Sequence, residues 1–309
     1  MKKASMATFS LKHSSGYGVR SISLPTRSHP STIRIEEELI KLKSWETSST
    51  SKVETICYGL CGLADLYKHI EDLLKLPLTQ QALSQHRNEK WVNELLDYPV
   101  RFLDLLGKTR DAILLMKGSV EELQSALRRR KIGDLGIECN LSVYWSLRRN
   151  MRKECTKSLL LLKQIDESFG ASPLLDLNSH LSAVVRVLRE ASLITSYIFR
   201  SLLVFLSSPI LKSKVIISKW AFVSRLVQKG VFACNNQQEN INELEKVDLA
   251  LSSLLMDNLS KDAEAEKIQS AHGRLEALVV GIERIENGLE CLFKRLINVR
   301  VSFLNILSP

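Results

Sequence analysis

The 309-residue sequence is poor in the residues that interrupt helices or build sheets. It holds 13 glycines and 7 prolines, and aromatic residues make up only 6% of the chain. No stretch alternates apolar and polar residues for long enough to predict a β-strand. This composition, together with abundant leucine, predicts an all-α fold.

Motifs that carry chemistry are also missing. The sequence has no Walker loop, GxGxxG, HExxH or GxSxG pattern. His86 and His180 stand alone on different segments, and the neighbouring acids Glu121 and Glu122 fit a solvated helix face. We therefore expect no catalytic, cofactor-binding or metal-ligating residues, and a protein that is not an enzyme.

The six cysteines are scattered, and no secretory signal peptide precedes them. They are expected to be reduced thiols of a cytoplasmic or nuclear protein. Cys57 and Cys61 stand four residues apart, with His69 two turns further on, which could supply two metal ligands. A metal site needs three or four convergent ligands, so we predict buried thiols at both positions.

The net charge of +9 is concentrated at the N-terminus. Six basic residues and no acid precede Glu36, and 37 basic against 34 acidic residues remain after them. The body of the chain is therefore not expected to bind nucleic acid. Residues 1–31 are predicted to form a disordered, basic, Ser-rich tail, with Ser31 as the N-cap of the first helix and Ile33 on the inward face of that helix. A plastid transit peptide is the other interpretation of residues 1–32.

One pattern in the tail is specific. Arg20, Ser21, Ser23 and Pro25 form R-S-x-S-x-P, which is similar to the docking sites of 14-3-3 proteins. Phosphate on Ser23 would place about two negative charges in an extended basic segment, ready for an arginine cluster. These four residues are the predicted phospho-docking site.

Two long apolar seams predict the architecture of residues 32–309. From Ile268 to Ile306, apolar residues recur at alternating steps of three and four, the heptad pattern of a coiled coil. A helix of that length reaches about 58 Å, so other long helices must lie along it. A second seam spans Arg87 to Arg130, with a kink or break expected near Pro99. Short connections favour an elongated bundle of long antiparallel helices, and the 268–306 seam is either its core or the interface of a homo-oligomer.

The apolar run from Ala191 to Leu211 is long enough to span a bilayer. Arg200 lies at its centre, and a central arginine costs at least about 3 kcal/mol on insertion scales. A buried bundle helix is therefore predicted, and peripheral membrane contact stays open. Another shorter helix is predicted over Lys212 to Lys229.

Two basic clusters lie outside the tail. Arg128 to Lys131 ends a predicted helix, where positive charge complements the macrodipole, and nuclear import or anionic-lipid contact is the functional alternative. Arg148-Arg149 with Arg152-Lys153 is predicted to lie mid-helix on one face. The ring of Trp145 alone is too little for binding of single-stranded nucleic acid.

Five stretches together resemble the plant BYPASS-like proteins: RSISLPTRSHPS, IEEELIKLKSWE, LPLTQQALSQHRNEKWVNELLD, EELQSALRRRK and IENGLECLFKRLINVRVSFLNIL. The resemblance extends from about Arg20 to Leu307. It implies a plant protein associated with root and shoot development, and it implies no catalytic residues. The expected function is that of a helical interaction protein, and a peripheral membrane protein that uses the 191–211 segment is the alternative.

Overall fold

The computed structural model describes residues 29–48, 52–129, 137–168, 179–210, 241–255 and 261–308. Within these ranges the chain forms eight helices and no strand, which confirms the all-α prediction. They are α1 (Pro30–Ser48), α2 (Val53–Leu74), α3 (Pro77–Gln85), α4 (Lys90–Arg129), α5 (Glu138–Ser168), α6 (Ser179–Leu206), α7 (Glu243–Leu254) and α8 (Lys261–Leu307).

The 47-residue helix α8 is the centre of the bundle, because α2, α4 and α7 all pack along it. The side-chain contacts to α4 fix the direction of that pair. Arg128 Nε lies 2.8 Å from His272 Nε2, and Lys117 Nζ lies 3.1 Å from Glu283. From the first contact to the second, the residue number falls on α4 and rises on α8, so the two longest helices are antiparallel.

Helix α2 runs parallel to α8, and two glycines allow the two helices to approach closely. A Cβ at Gly281 would lie 3.0 Å from Val53 Cγ1, and a Cβ at Gly288 would lie 3.0 Å from Leu60 Cβ. A side chain at either position would require the neighbouring residue on α2 to move by a few tenths of an ångström. From the first of these contacts to the second, the residue number rises by seven on both helices, which shows that they are parallel.

The predicted seam of α8 is core of this chain. Its central side chains are at most 3% exposed: Ala271, Leu275, Leu278, Ile282, Ile285, Leu289, Leu292, Leu296, Val299 and Phe303. Ile268 and Ile306, at its two ends, are half-buried. The three-four spacing therefore identified the inward face of the helix residue by residue.

Helix α6 is a second buried element, packed against α1, α2, α4 and α5. Most apolar side chains of its second half are buried: Ala191, Ile194, Ile198, Phe199, Leu202, Leu203, Phe205 and Leu206. Leu193 and Val204 are exposed. Arg200 Nη2 lies 2.9 Å from Asp166 Oδ2. In the part of the chain that the structure describes, no helix combines the length with the apolarity that a bilayer-spanning segment requires.

Two local predictions at helix α1 are wrong, and one at helix α4 is decided in part. Helix α1 begins at Pro30, where proline suits the first helical position, and Ser31 is inside the helix with its backbone N–H donating to His29 Nδ1 (3.2 Å). Ile33, predicted to face inward, is 43% exposed, and Ile35 is buried instead. Of the kink or break expected near Pro99, the break is absent, because helix α4 continues through that residue.

The predicted helix over 212–229 and residues 1–28 of the predicted tail lie outside the described residues. Residues 211–240 are outside them as a whole.

Candidate functional site

The predicted phospho-docking residues, Arg20, Ser21, Ser23 and Pro25, lie outside the described residues. Cys57 is half-buried and Cys61 is exposed, so the prediction of two buried thiols is wrong, because Cys61 lies on the outer face of α2. Among the described residues, no three His, Cys, Asp or Glu side chains converge as a metal site would require.

The most concentrated chemistry in the described part is a buried ion pair between α5 and α7. Arg148 Nη2 lies 2.9 Å from Asp248 Oδ2, and Arg148 Nε donates to Asp248 Oδ1 at 3.3 Å. Both side chains are fully buried. Two parallel bonds between a guanidinium and a carboxylate make a bidentate contact, the strongest geometry for this pair.

The remaining polar atoms around the pair are also satisfied. Tyr144 Oη donates to Asp248 Oδ1 at 2.7 Å. Arg148 donates to the carbonyl of Leu206 at 3.2 Å and to Ser208 Oγ at 3.2 Å, just beyond the end of α6. The guanidinium thus caps the C-terminus of α6 and joins α5, α6 and α7 at one point.

The environment fixes the protonation of this cluster. Burial lowers the pKa of Arg148, but the hydrogen bond and charge of Asp248 outweigh it, so the pKa is raised. Burial, and then the negative charge of Asp248, raise the pKa of Tyr144 well above its ordinary value. Both shifts keep Arg148 charged and the Tyr144 hydroxyl protonated near neutral pH.

A second row of buried polar groups follows α6. Tyr98 Oη donates to the Ser192 carbonyl at 2.7 Å and lies 3.1 Å from Ser196 Oγ, while Tyr67 Oη lies 3.0 Å from Thr195 Oγ1. Burial raises the pKa of Tyr67 to about 12. These contacts tie α2 and α4 to α6 and give the serine and threonine hydroxyls of the apolar run internal partners.

The sequence analysis did not separate Arg148 from Arg149, Arg152 and Lys153, because it placed all four on one face of a helix. The signal was present in the helical spacing. Tyr144, Arg148, Met151 and Cys155 recur at steps of four and three, and all four are buried. An arginine on such an apolar stripe requires a buried acid, and that acid lies 100 residues away on α7.

The other three cations of that cluster form a solvent-facing surface, which we call the α5 face. Arg149, Arg152 and Lys153 are exposed, and none has an ion-pair partner among the described residues. Two apolar side chains follow on the same helix, Leu160 at 62% and Leu161 at 43% exposure. Basic and apolar groups are thus presented together on one helix.

At the end of α4, Arg128 and Arg129 lie in the last turn, as predicted. Arg130 and Lys131 lie outside the described residues.

One comparison with known proteins is informative. A family described as Protein BPS1 matches residues 59–306. No curated protein and no solved structure gives a significant match. The match covers most of the chain and includes α2 after its first turns, α3, α4, α5, α6, α7 and almost all of α8.

Proposed function

The chain belongs to the BPS1 family, in agreement with its resemblance to BYPASS-like proteins, and from this premise we propose that it acts as a non-enzymatic helical adaptor in plant developmental signalling. The root and shoot context comes from the resemblance alone. The adaptor role is supported by how the polar groups are distributed. The buried ones are engaged in internal bonds that hold helices together, while unpaired charge lies on the outside.

The observation that carries the proposal is the α5 face. Arg149, Arg152 and Lys153 share one side of the helix at steps of three and one, and Leu160 lies two turns beyond Lys153. A rigid helix held on its inner side by the Arg148–Asp248 pair presents these groups at fixed positions. The complementary partner is a protein segment that carries carboxylates followed by an apolar anchor.

The test is charge reversal in the full-length tagged protein. We expect Arg149→Glu with Arg152→Glu and Lys153→Glu to reduce recovery of specific partners from plant extract at least about tenfold, because each pair of like charges across an interface is strongly unfavourable. Each partner so identified is then purified, and its affinity for both proteins is measured.

A matched control carries the same change of net charge elsewhere. Lys41, Lys75 and Lys294 are 61%, 65% and 70% exposed on α1, beside the end of α2 and on α8. Reversal of these three should leave partner recovery unchanged. Equal losses in the two triple variants would reject the α5 face as the docking surface.

The alternative function is peripheral membrane association, which was expected to use the 191–211 segment and the basic clusters. Most apolar side chains of the described part of that segment are buried in the bundle, so a membrane contact would depend on the basic surfaces. Sedimentation of the purified protein with anionic vesicles separates the two functions. Binding that is released by salt and lost in the α5 triple variant would favour the membrane.

The 14-3-3 contact remains a proposal of its own, since it rests on the pattern Arg20 to Pro25. A peptide over residues 16–31 should bind a 14-3-3 protein only when Ser23 is phosphorylated, because charge-assisted bonds to the phosphate supply most of the affinity. Ser23→Ala in the full-length protein should abolish co-purification and leave thermal unfolding unchanged. Retention of the partner by Ser23→Ala would show that the pattern is accidental.

A further inference from the structure

A groove of about 450 Å³ lies between α7 and the first part of α8. The lining residues of each helix recur three or four positions apart and therefore lie on one face of that helix. Helix α7 supplies Lys246, Leu249, Ala250 and Ser253, and α8 supplies Lys267, Ser270 and Arg274. Ile241, just before α7, also lines the groove. The groove is therefore built from two rigid elements.

Among the described residues, the lining contains three cations and no carboxylate. The acids of α7 are engaged elsewhere: Glu243 Oε2 accepts from the backbone N–H of Val53, Glu245 closes a capping box with Asn242, and Asp248 pairs with Arg148. Within the described ranges, none of the three cations of the groove takes part in an ion pair. Positive charge is thus concentrated in a concave site, where the field is stronger than on an open surface.

The positions of two of these cations are fixed by the groove itself. Lys267 Nζ donates to the Ser253 carbonyl and Arg274 Nη1 to the Lys246 carbonyl, each at 3.2 Å. An ammonium has three N–H donors and a guanidinium has five, so donors remain available to a ligand. The two residues are seven positions apart on α8, or about 10 Å along the axis.

We propose that this groove binds a small organic polyphosphate, with phosphate groups at both ends and an uncharged body over Leu249 and Ala250. The groove volume lies in the range of small-molecule sites. Lysine, arginine and serine hydroxyl groups are the side chains that recognise phosphate. The described lining residues include no aromatic ring on which a nucleic-acid base could stack.

The experiment is calorimetric titration of the full-length protein with inositol 1,4,5-trisphosphate and with inorganic tripolyphosphate. Lys246 makes no hydrogen bond of its side chain within the described part of the chain, so Lys246→Gln removes charge from the groove without breaking a contact. We expect this variant to bind about tenfold more weakly, since a charge-assisted bond is lost. Binding should also weaken in 0.5 M salt.

Two further variants make the result specific. Arg274→Lys keeps the charge and should bind within about threefold of wild type, because an ammonium still attracts phosphate but lacks the planar fork. Arg149→Gln with Arg152→Gln and Lys153→Gln removes three charges from α5 and should bind as wild type does. Absence of binding by the wild-type protein overturns the proposal. Equal weakening by Lys246→Gln and by the α5 variant also overturns it, because the attraction would then be general.

Sedimentation with vesicles of phosphatidylcholine, with or without phosphatidylinositol 4,5-bisphosphate, identifies the source of the phosphate. Calorimetric binding of the soluble compounds without sedimentation supports a free ligand. Sedimentation with the bisphosphate vesicles that Lys246→Gln abolishes supports the same phosphate chemistry supplied by a lipid headgroup. Sedimentation that Lys246→Gln leaves intact overturns the assignment to this groove.

Discussion

Asp248→Ala is expected to lower the free energy of unfolding by about 3 to 5 kcal/mol, because it leaves the Arg148 guanidinium buried without its counter-charge. Arg148 and Asp248 are both fully buried, and Tyr144 loses its acceptor in the same change. A typical domain is stable by only about 5 to 15 kcal/mol, so this loss removes a large part of the total. Urea unfolding followed by circular dichroism measures it.

A compensating variant separates charge from packing. Arg148→Met, Asp248→Leu and Tyr144→Phe together replace the cluster with apolar groups, and replacement of a whole buried pair is often neutral or stabilising. We expect the triple variant to recover most of the stability that Asp248→Ala loses. If the triple variant is as unstable as the single one, the cluster is required for its geometry at the end of α6 rather than for mutual neutralisation.

Leu289→Asp is expected to prevent stable folding. Leu289 is fully buried on α8, one residue after the close contact of Gly288 with Leu60. An ionised carboxylate without a partner costs several kcal/mol or more in such a place, and the leucine side chain is lost from the core as well. Expression in the soluble fraction and the thermal midpoint are the measurements.

The same helix offers a matched control. Val280 is 52% exposed on α8, so Val280→Asp adds the same carboxylate where water solvates it. Its effect should stay within about 0.5 kcal/mol. Similar melting curves for Leu289→Asp and the wild type would show that the seam is not the core.

The candidate surfaces were less predictable than the fold. The basic run Arg148 to Lys153 was visible in the sequence, but its division into one buried and three exposed cations was not. The α7–α8 groove was not predicted, because its cations are separated by up to 28 residues and each looks like an ordinary surface charge alone. Their meaning depends on the engagement of Glu243, Glu245 and Asp248 elsewhere.

The sequence by itself determined that the chain is helical, and it determined the inward face of α8. Helical periodicity is a local property, so Ala271 to Phe303 could be assigned without knowledge of any partner. Tertiary structure alone decided that α2 lies parallel to α8 and that Arg148 meets Asp248. A repeat of three and four tells which side of a helix is buried but carries no information on what buries it. Those pairings join residues about 100 to 230 positions apart, and only the folded chain brings them together.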